Sequence, residues 1–304
     1  TRRMSRTEWL AQRRQTIGGS DASAIIGLSP YATPYTVWAD KTGRLPDKED
    51  SEAMRLGRDL EDYVAKRWCE ATGKKVRRLQ SMLYNPEYPH AHADVDRMVV
   101  GENAGLECKT TSTLNISQFR GEDFPEKYYA QCVHYLAVTG CKRWYLAVLV
   151  FGRGFFTYTL DRDEAEIKAL MDAEADFWRT VETDAPPAVC GAEADTEALS
   201  TIYRESFQGN RQLFGREPVL REYAELKRQK KAIEERMGEI ENTLKLDLGN
   251  AEKGECGRFT ISWKSQSRRT FQPKTFSRDY PEIDLGPYYK MSTSRPFKIT
   301  EDEG

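Results

Sequence analysis

The stretch from Ala91 to Thr110, AHADVDRMVVGENAGLECKT, decides the fold. Apolar residues alternate with polar ones on either side of a turn-rich connection at Gly101 and Asn103. This pattern predicts two neighbouring strands, Ala93 to Val100 and Gly105 to Lys109, joined by a short turn.

Charged side chains on these two strands form the strongest chemical pattern in the chain. Glu107 and Lys109 are separated by one strand residue, so both side chains leave the same face, with roots about 6 to 7 Å apart. Asp96 lies on the preceding strand and can reach the same point. Mg²⁺ prefers carboxylate and carbonyl oxygens. We therefore expect Asp96, Glu107 and the backbone carbonyl of Cys108 to hold Mg²⁺, as one or two ions, with Mn²⁺ as a substitute.

A cation at this point supplies the chemistry of phosphodiester hydrolysis. It lowers the pKa of a bound water, and the ammonium of Lys109 can orient that water and offset charge on a phosphate. The alternative is an ordinary set of surface residues, because acids and lysines at these intervals are common in proteins.

Two helices add polar side chains to this pattern. Glu61 lies on an amphipathic helix that ends near Gly73, and a buried carboxylate there needs a partner such as a metal or its water. The alternative is a partly solvated glutamate at the helix edge. Gln131 and Tyr135 lie four residues apart on one face of a helix from Glu126 to Thr139. The alternative for this pair is a core tyrosine with a polar neighbour.

The N-terminal segment has the composition of a phosphate site. Arg13 and Arg14 precede the sequence IGGSD, Ile17 to Asp21, and a helix is predicted to start at Ala22 to Ile26. Free backbone amides at a helix start, together with the helix dipole, favour an anion. The alternative is a glycine turn with a Ser or Asp cap.

The charge balance excludes polybasic binding of nucleic acid. Lys plus Arg number 46 and Asp plus Glu 48, so the net charge is -2. The charges are nevertheless segregated: Asp161 to Glu205 holds 13 acidic and four basic residues, whereas Arg258 to Lys298 holds nine basic and three acidic ones. We expect the basic segment, with Arg13 and Arg14, to form a local DNA track.

Other compositional features predict the compartment. No apolar run approaches the roughly 18 residues of a membrane span, and no secretion signal is visible, so we expect a cytoplasmic protein with no membrane partner. The six cysteines are far apart without a CxxC pair. This spacing argues against a zinc knuckle and against a disulfide framework.

The order of elements predicts two domains. Helices and strands mix up to about residue 185, which favours an α/β or α+β sheet with helices on its faces. A break at Asp184 to Pro187 places a boundary there, giving domains 1–185 and 186–304.

The second domain is predicted to contain a helix at about 217–248 and a basic strand region at about 257–299. In the strand region, Phe259 to Trp263 alternate as a strand that turns through Lys264 to Arg269 into Phe271, a β-hairpin. The helix has a heptad-like seam, which is either an oligomer contact or a surface that packs on its own domain. The seam residues are Tyr223, Leu226, Lys230, Ile233, Met237, Ile240 and Leu244.

In this order, the motifs resemble the PD-(D/E)XK nuclease superfamily, and within it the phage lambda exonuclease and YqaJ viral recombinase group. The resemblance covers about residues 8 to 183. It implies a restriction-endonuclease-like α/β core, a central mixed sheet flanked by helices, to which residues 186–304 add a helical and β-hairpin extension. The matching residues are Trp9, Arg13, Ser20, Gly57 to Glu61, Ala93 to Asp96, Glu107 to Lys109, Tyr129 to Gln131, Tyr135, Trp144 and Tyr145. One departure is Arg97, where the family usually has glycine.

The resemblance also implies roles for individual residues. Asp96 and Glu107 would bind metal, with Glu61 near the ions. Lys109 would serve the attacking water, and Gln131 would place Lys109 or the scissile phosphate. For DNA binding, the resemblance implies that Arg13 and Ser20 hold a 5'-terminal phosphate, and we add Arg14 and Tyr135 as candidates.

The implied function is a Mg²⁺-dependent exonuclease that degrades one strand of double-stranded DNA from the 5' end. It would leave 3' single-stranded tails for phage-type homologous recombination in a bacterial host or from a prophage. Expected partners are DNA ends with a 5'-phosphate, a single-strand annealing protein, and further copies of the chain, for example in a ring trimer. The alternatives are a restriction-like endonuclease and a catalytically inert protein that binds DNA ends on a nuclease fold.

Overall fold

The computed structural model describes residues 5–47, 50–79, 81–121, 123–291 and 294–300. The chain divides into two compact units, Thr1–Glu205 and Ser206–Gly304. The boundary predicted near residue 185 therefore lies inside the first unit. The first unit extends past the break because the helix that follows packs against it. In this helix Asp195 and Ala198 are buried, and the Asp195 carboxylate accepts a hydrogen bond from the Thr33 hydroxyl.

The first unit is mixed α/β, as predicted. Its helices are α1 (Arg6–Arg14), α2 (Gly19–Ile25), α3 (Pro34–Lys41), α4 (Glu52–Thr72), α5 (Glu126–Thr139), α6 (Glu164–Glu182) and α7 (Glu193–Ile202). Its strands are β1 (Ile17–Gly18), β2 (Val76–Arg77), β3 (Leu83–Tyr84), β4 (Ala91–Ala93), β5 (Arg97–Val99), β6 (Ala104–Thr111), β7 (Arg143–Val150) and β8 (Gly154–Asp161).

A five-stranded mixed sheet, in the order β2-β5-β6-β7-β8, forms the centre of this unit. Strands β6 and β7 are parallel, and the other neighbours are antiparallel. Helix α5 makes the crossover that a parallel pair requires. A second, small sheet has the order β1-β4-β3. The strand-like run predicted from Lys75 to Tyr84 is thus two short strands in different sheets.

Helices cover both faces of the central sheet, with α4 on one face of β6 and α5 on the other. Leu106 packs on one face with Val64 and Trp68 of α4. On the other face, Gly105 lies so close to the Trp144 ring that a Cβ atom would come within 2.3 Å of it. Only glycine permits this close approach of the Trp144 ring to β6, two residues before Glu107.

Glycines end the two helices that flank the site, as predicted. Gly73 closes α4 with φ 71° and Gly140 closes α5 with φ 68°, both in the left-handed region. Glycine adopts this conformation without the steric cost that a Cβ imposes. The ends of both helices are therefore set by local sequence.

The second unit contains α8 (Glu217–Leu248), β9 (Lys253–Cys256), β10 (Phe259–Ser262) and α9 (Pro273–Asp279). The helix predicted at about 217–248 is confirmed. Strand β10 pairs with β9, which precedes it, and Gly257 turns between them with φ 56°. The prediction of a turn through Lys264 to Arg269 is therefore wrong, because the glycine supplies the tight turn on the other side of the strand. Across the described ranges, none of the helices is both long and apolar enough to cross a membrane.

Candidate active site

Strand β6 and helix α5 bring three predicted residues together. The Nζ atom of Lys109 lies 2.6 Å from Oε1 of Glu107. The amide nitrogen Nε2 of Gln131 donates to the same oxygen at 2.8 Å. The shared face of Glu107 and Lys109 follows from the alternation of a strand, and α5 covers that face.

Among the described residues, the second carboxylate oxygen of Glu107 has no partner. The Glu107 side chain is only 3% exposed. Its Oε2 atom is buried and has no hydrogen-bond partner within the described part of the chain. Buried polar atoms normally form hydrogen bonds. A buried polar atom without one has lost its hydrogen bond to water and gained none in the protein, which costs free energy. A bound cation would give this oxygen a partner.

Asp96 lies immediately before β5, beside the middle of β6. Its Oδ2 accepts a hydrogen bond from the backbone N–H of Cys108 at 2.8 Å. Because the N–H and C=O of a strand residue leave the same edge, the Cys108 carbonyl is directed toward that edge too. Asp94 is occupied elsewhere, since it accepts a hydrogen bond from Nε1 of Trp9 at 3.1 Å. Of the two aspartates, the structure places Asp96 against the motif of β6.

The electrostatics of this cluster show an excess of negative charge. Burial raises the pKa of Asp96 well above its usual range, and the charges of Glu107 and Glu61 raise it further. Burial by itself would lower the pKa of the Lys109 ammonium, but Glu107 and Asp96 outweigh burial and raise it. The neighbouring carboxylates therefore favour the charged form of Lys109.

The residues of this cluster fit one hard divalent cation. Mg²⁺ takes oxygen ligands and keeps several waters. Asp96, Glu107 and the Cys108 carbonyl offer such oxygens. Within the described ranges, no three Asp, Glu, His or Cys side chains form a ready set of ligands. These residues would offer a cation two carboxylates and one carbonyl.

Glu61 forms an ion pair with Arg97, a residue for which no role at the site was predicted. Arg97 pairs through Nη1 with Oε1 of Glu61 and through Nη2 with Oδ1 of Asp62, the latter at 2.6 Å. The signal was present in the strand alternation: Arg97 shares a face with Val99, which is buried against α4. An arginine on a buried face needs a carboxylate partner, and the helix opposite carries two.

Tyr135, which we predicted to bind DNA, is buried, with 5% of its surface exposed. Its hydroxyl accepts a hydrogen bond from Nε2 of Gln131 at 2.8 Å. A Cβ atom on Gly19 would lie 2.6 Å from the Tyr135 ring, so the start of α2 rests directly on this side chain. Tyr135 positions Gln131 and joins the N-terminal segment to Glu107.

The N-terminal segment brings Arg13 and Ser20 together but not Arg14. The Arg13 guanidinium donates to the Ser20 hydroxyl at 2.9 Å and lies 4.8 Å from the centre of the Trp9 ring. Arg14 instead pairs with Asp47 at 2.8 Å and with Asp40 at 3.3 Å. Arg14 thus forms ion pairs with carboxylates of its own unit.

A cleft of about 460 Å³ borders the acidic cluster. Its lining includes the acids Glu61 and Asp96, three arginines and the Trp9 ring. Aromatic faces and guanidinium groups bind the bases and phosphates of nucleic acids, whereas acids beside them suit a cation. The arginines are Arg58, Arg78 and Arg97.

Known proteins resemble this chain in sequence and in structure. The family model of the YqaJ-like viral recombinase domain matches residues 8–142. Protein YqaJ of Bacillus subtilis (strain 168) is 40% identical over an alignment of 303 positions, which covers 97% of this chain and 93% of that protein. An alkaline exonuclease (LHK-Exo) from Laribacter hongkongensis has a similar fold, with a TM-score of 0.50 and 19% identity over 59% of this chain and 93% of the exonuclease. That exonuclease is also known in complex with dAMP. The extent of the match to YqaJ shows that this chain belongs to the YqaJ-like viral recombinase family.

Proposed function

We propose that the first unit is a metal-dependent exonuclease that acts on double-stranded DNA ends. The observation that carries this proposal is the buried Oε2 of Glu107, which has no hydrogen-bond partner among the described residues and lies beside Asp96 and Lys109. The name of the structural neighbour, an alkaline exonuclease, and its complex with dAMP support the same activity. The family's place in viral recombination supports a role in preparing DNA ends.

In the proposed mechanism, Asp96, Glu107 and the Cys108 carbonyl hold Mg²⁺, or Mn²⁺ in its place. A bound ion of this kind lowers the pKa of a water and offsets negative charge on the phosphate. Lys109, kept charged by Glu107 and Asp96, orients the attacking water and donates to the scissile phosphate. Gln131 fixes Glu107 through a hydrogen bond, and Tyr135 fixes Gln131.

The direction of digestion rests on the N-terminal segment. Arg13 and Ser20 form a donor pair that suits a terminal phosphate, since guanidinium groups bind phosphates strongly. Gly19 connects this pair to Tyr135 and so to the acidic cluster. We therefore propose 5'-to-3' digestion from a 5'-phosphate, leaving 3' tails. A single-strand annealing protein would take up these tails, and several copies of the chain would act together.

The decisive experiment compares linear duplex DNA, labelled at the 5' or the 3' end, with closed circular DNA, with and without Mg²⁺. We expect Mg²⁺-dependent release of 5'-labelled nucleotides from linear DNA only. Cutting of closed circles would establish an endonuclease instead. A protein that binds ends yet cuts nothing with Mg²⁺ or Mn²⁺ would be the inert end-binding protein.

Lys109→Ala tests the site directly. Removing the ammonium should lower the cleavage rate by about 10²- to 10³-fold, because a positioned donor to a developing charge is lost. Lys66→Ala, on the exposed face of α4, is the matched control and should retain full activity. Equal activity of both variants would place the site elsewhere.

Arg13→Ala tests the phosphate pocket. Loss of a charge-assisted hydrogen bond should reduce the preference for 5'-phosphate over 5'-hydroxyl ends by about tenfold or more. Arg14→Ala is the control, since Arg14 pairs with Asp40 and Asp47. An Arg13 variant that keeps the preference would remove this role from the segment.

A further inference from the structure

Two glutamates border the candidate site, and their carboxylates have different partners. Glu107 has one buried oxygen with no partner among the described residues, and its other oxygen binds Lys109 and Gln131. Glu61 is paired with the guanidinium of Arg97. Both carboxylates are thus paired with a cationic side chain, but within the described residues Glu107 still has a buried oxygen that could bind a metal ion.

Arg97 is built into the site as a fixed charge. Its side chain is only 4% exposed. Besides the pair with Glu61, Nη1 donates to the Asp96 carbonyl oxygen at 2.6 Å, and Nη2 lies 2.6 Å from Oδ1 of Asp62. Arginine keeps its proton at any physiological pH, so this positive charge is permanent. Arg78 adds a further positive charge, 3.0 Å from Asp62 and 3.7 Å from Glu61.

The sheet separates the two glutamates. Arg97 is in register with Leu106, whose side chain faces α4, whereas Glu107 is the next residue and faces α5. Asp96 lies between them, immediately before β5. A second ion held by Asp96 and Glu61 would have to approach a buried guanidinium that already binds Glu61, and like charges at such a distance repel strongly in a low dielectric.

We propose that the site takes a single divalent ion, at Asp96, Glu107 and the Cys108 carbonyl, and that Arg97 supplies the positive charge on the Glu61 side. Arg97 is then a positioning residue that excludes a second ion. This inference rests on the proposed metal-dependent function.

Mn²⁺ binding to the full chain measures the number of ions without any nuclease assay. Calorimetric titration of the wild type should give one Mn²⁺ per chain, and electron paramagnetic resonance should show an isolated ion. Two ions per chain, or the spectrum of a coupled pair at the roughly 3.5 to 4 Å separation of two-metal sites, would overturn the proposal.

Arg97→Met removes the charge while keeping an extended apolar stem. We expect this variant to bind a second Mn²⁺, because Glu61 becomes available, and we expect the double variant Arg97→Met, Glu61→Gln to bind one again. An unchanged count in the single variant would show that Arg97 excludes nothing.

Glu61→Gln in the wild-type background keeps the proposal testable if Arg97→Met fails to fold. The glutamine oxygen still accepts from Arg97, so Mn²⁺ affinity should stay within about twofold; a tenfold loss would make Glu61 a ligand and refute the proposal. The proposed function fails separately: a chain that binds one Mn²⁺ but cuts no DNA retains the inference and loses the nuclease.

Helix α8 has no buried residue, although its seam is apolar except at Lys230. Ile233 and Met237 are 61% and 56% exposed. With Tyr223, Lys230, Met237 and Leu244 at heptad position a, the flanking charges match a parallel copy of the same helix: Glu222 of one copy faces Lys227 of the other, and Arg236 faces Glu241.

We infer that α8 pairs in parallel, in register, with α8 of another copy of the chain. No like-charged g and e residues meet in this arrangement. Lys230 is a single polar a residue, a feature that fixes register at a cost in stability. We therefore expect Lys230→Leu to tighten self-association and Ile233→Glu to weaken it by tenfold or more, measured by sedimentation of the full chain.

Cross-linking tests the register. In a background where the exposed Cys190 and Cys256 are replaced by serine, Ile233→Cys should form an intermolecular disulfide on mild oxidation, because position d meets its own counterpart. Ala232→Cys, on the outer side of the helix, is the control. Equal cross-linking of the two variants, or an association that Ile233→Glu leaves unchanged, would refute the pairing.

Discussion

Helices α6 and α8 are both amphipathic, yet they have opposite fates. Along α6 the apolar stripe is buried, with Ile167 1% and Met171 2% exposed, and it packs against α5. The stripe of α8 remains open, with Ile240 47% exposed. A stripe in the sequence therefore indicates that a helix needs a partner but does not say whether that partner lies in the same chain.

The buried face of α6 also contains a charged residue that pairs with α5. Glu174 is 0% exposed and accepts from Nδ1 of His134 on α5 at 2.8 Å. The other ring nitrogen of His134 donates to the carbonyl of His92 at 2.8 Å. With both ring nitrogens donating, His134 is an imidazolium, and the pair binds α6 to the strand beneath.

The largest expected effect is on this buried pair. Glu174→Ala leaves the imidazolium of His134 without its counter-ion, which should lower the free energy of unfolding by about 3–5 kcal/mol in urea denaturation. Glu235→Ala on α8, whose carboxylate forms an exposed pair with Lys231, is the control and should leave the unfolding of the first unit unchanged. An equal loss of unfolding free energy in both variants would show that α6 and α8 do not differ in this way.

Ile167→Ala and Ile233→Ala compare the two stripes with the same change. Removing buried methylene and methyl groups from α6 should cost about 2–5 kcal/mol, because a cavity remains. The same change on α8 should leave the first unit's stability unaltered and weaken only self-association. A comparable loss in both variants would mean that the α8 stripe packs within its own chain.

The pH dependence of stability sharpens the role of the α6 charge. Burial alone would lower the pKa of His134, but Glu174 outweighs burial and raises it above the usual value of about 6.5. The stabilisation is therefore complete below about pH 6.5 and is lost as pH rises through the raised pKa. Asp21 also raises this pKa, and burial lowers that of His92 to about 3, so His92 contributes the opposite slope below pH 6.5.

Urea denaturation between pH 6 and 9 should show the free energy of unfolding falling further in the wild type than in Glu174→Gln. A variant with the same slope would assign the pH dependence to other groups.

The smallest expected effect is a gain on α8. Gly238 lies inside this helix, and a Cβ atom there would meet nothing within 4 Å. Gly238→Ala should stabilise the helix by about 0.5–1 kcal/mol, because alanine loses less backbone entropy. The gain should appear in the thermal melt of helicity. Lower helicity in the variant would show that the glycine serves a contact in an assembly.

Features determined by local sequence were predictable. The ends of α4 and α5 follow from Gly73 and Gly140, and the common face of Glu107 and Lys109 follows from strand alternation. The pairing of Glu61 with Arg97 was not predicted, because these residues are 36 positions apart and meet only through the packing of α4 on β5.

The same reason explains the errors. The domain boundary fell short because α7 is anchored to the first unit by a distant contact, between Asp195 and Thr33. The hairpin of the second unit was placed on the wrong side of β10, since alternation identifies a strand but not its neighbour.

The close packing of Gly19 on Tyr135 would let the proposed exonuclease measure DNA by a fixed distance. Ser20 follows Gly19 in the chain, Tyr135 binds Gln131, and Gln131 binds Glu107, so the span from the proposed phosphate pocket to the acidic cluster is set by packed atoms. If Arg13 and Ser20 hold the 5'-phosphate, as proposed, a rigid span would set a fixed length of DNA strand between that phosphate and the acidic cluster. The size of each released product would then be a property of this packing, and a side chain larger than hydrogen at position 19 would change it.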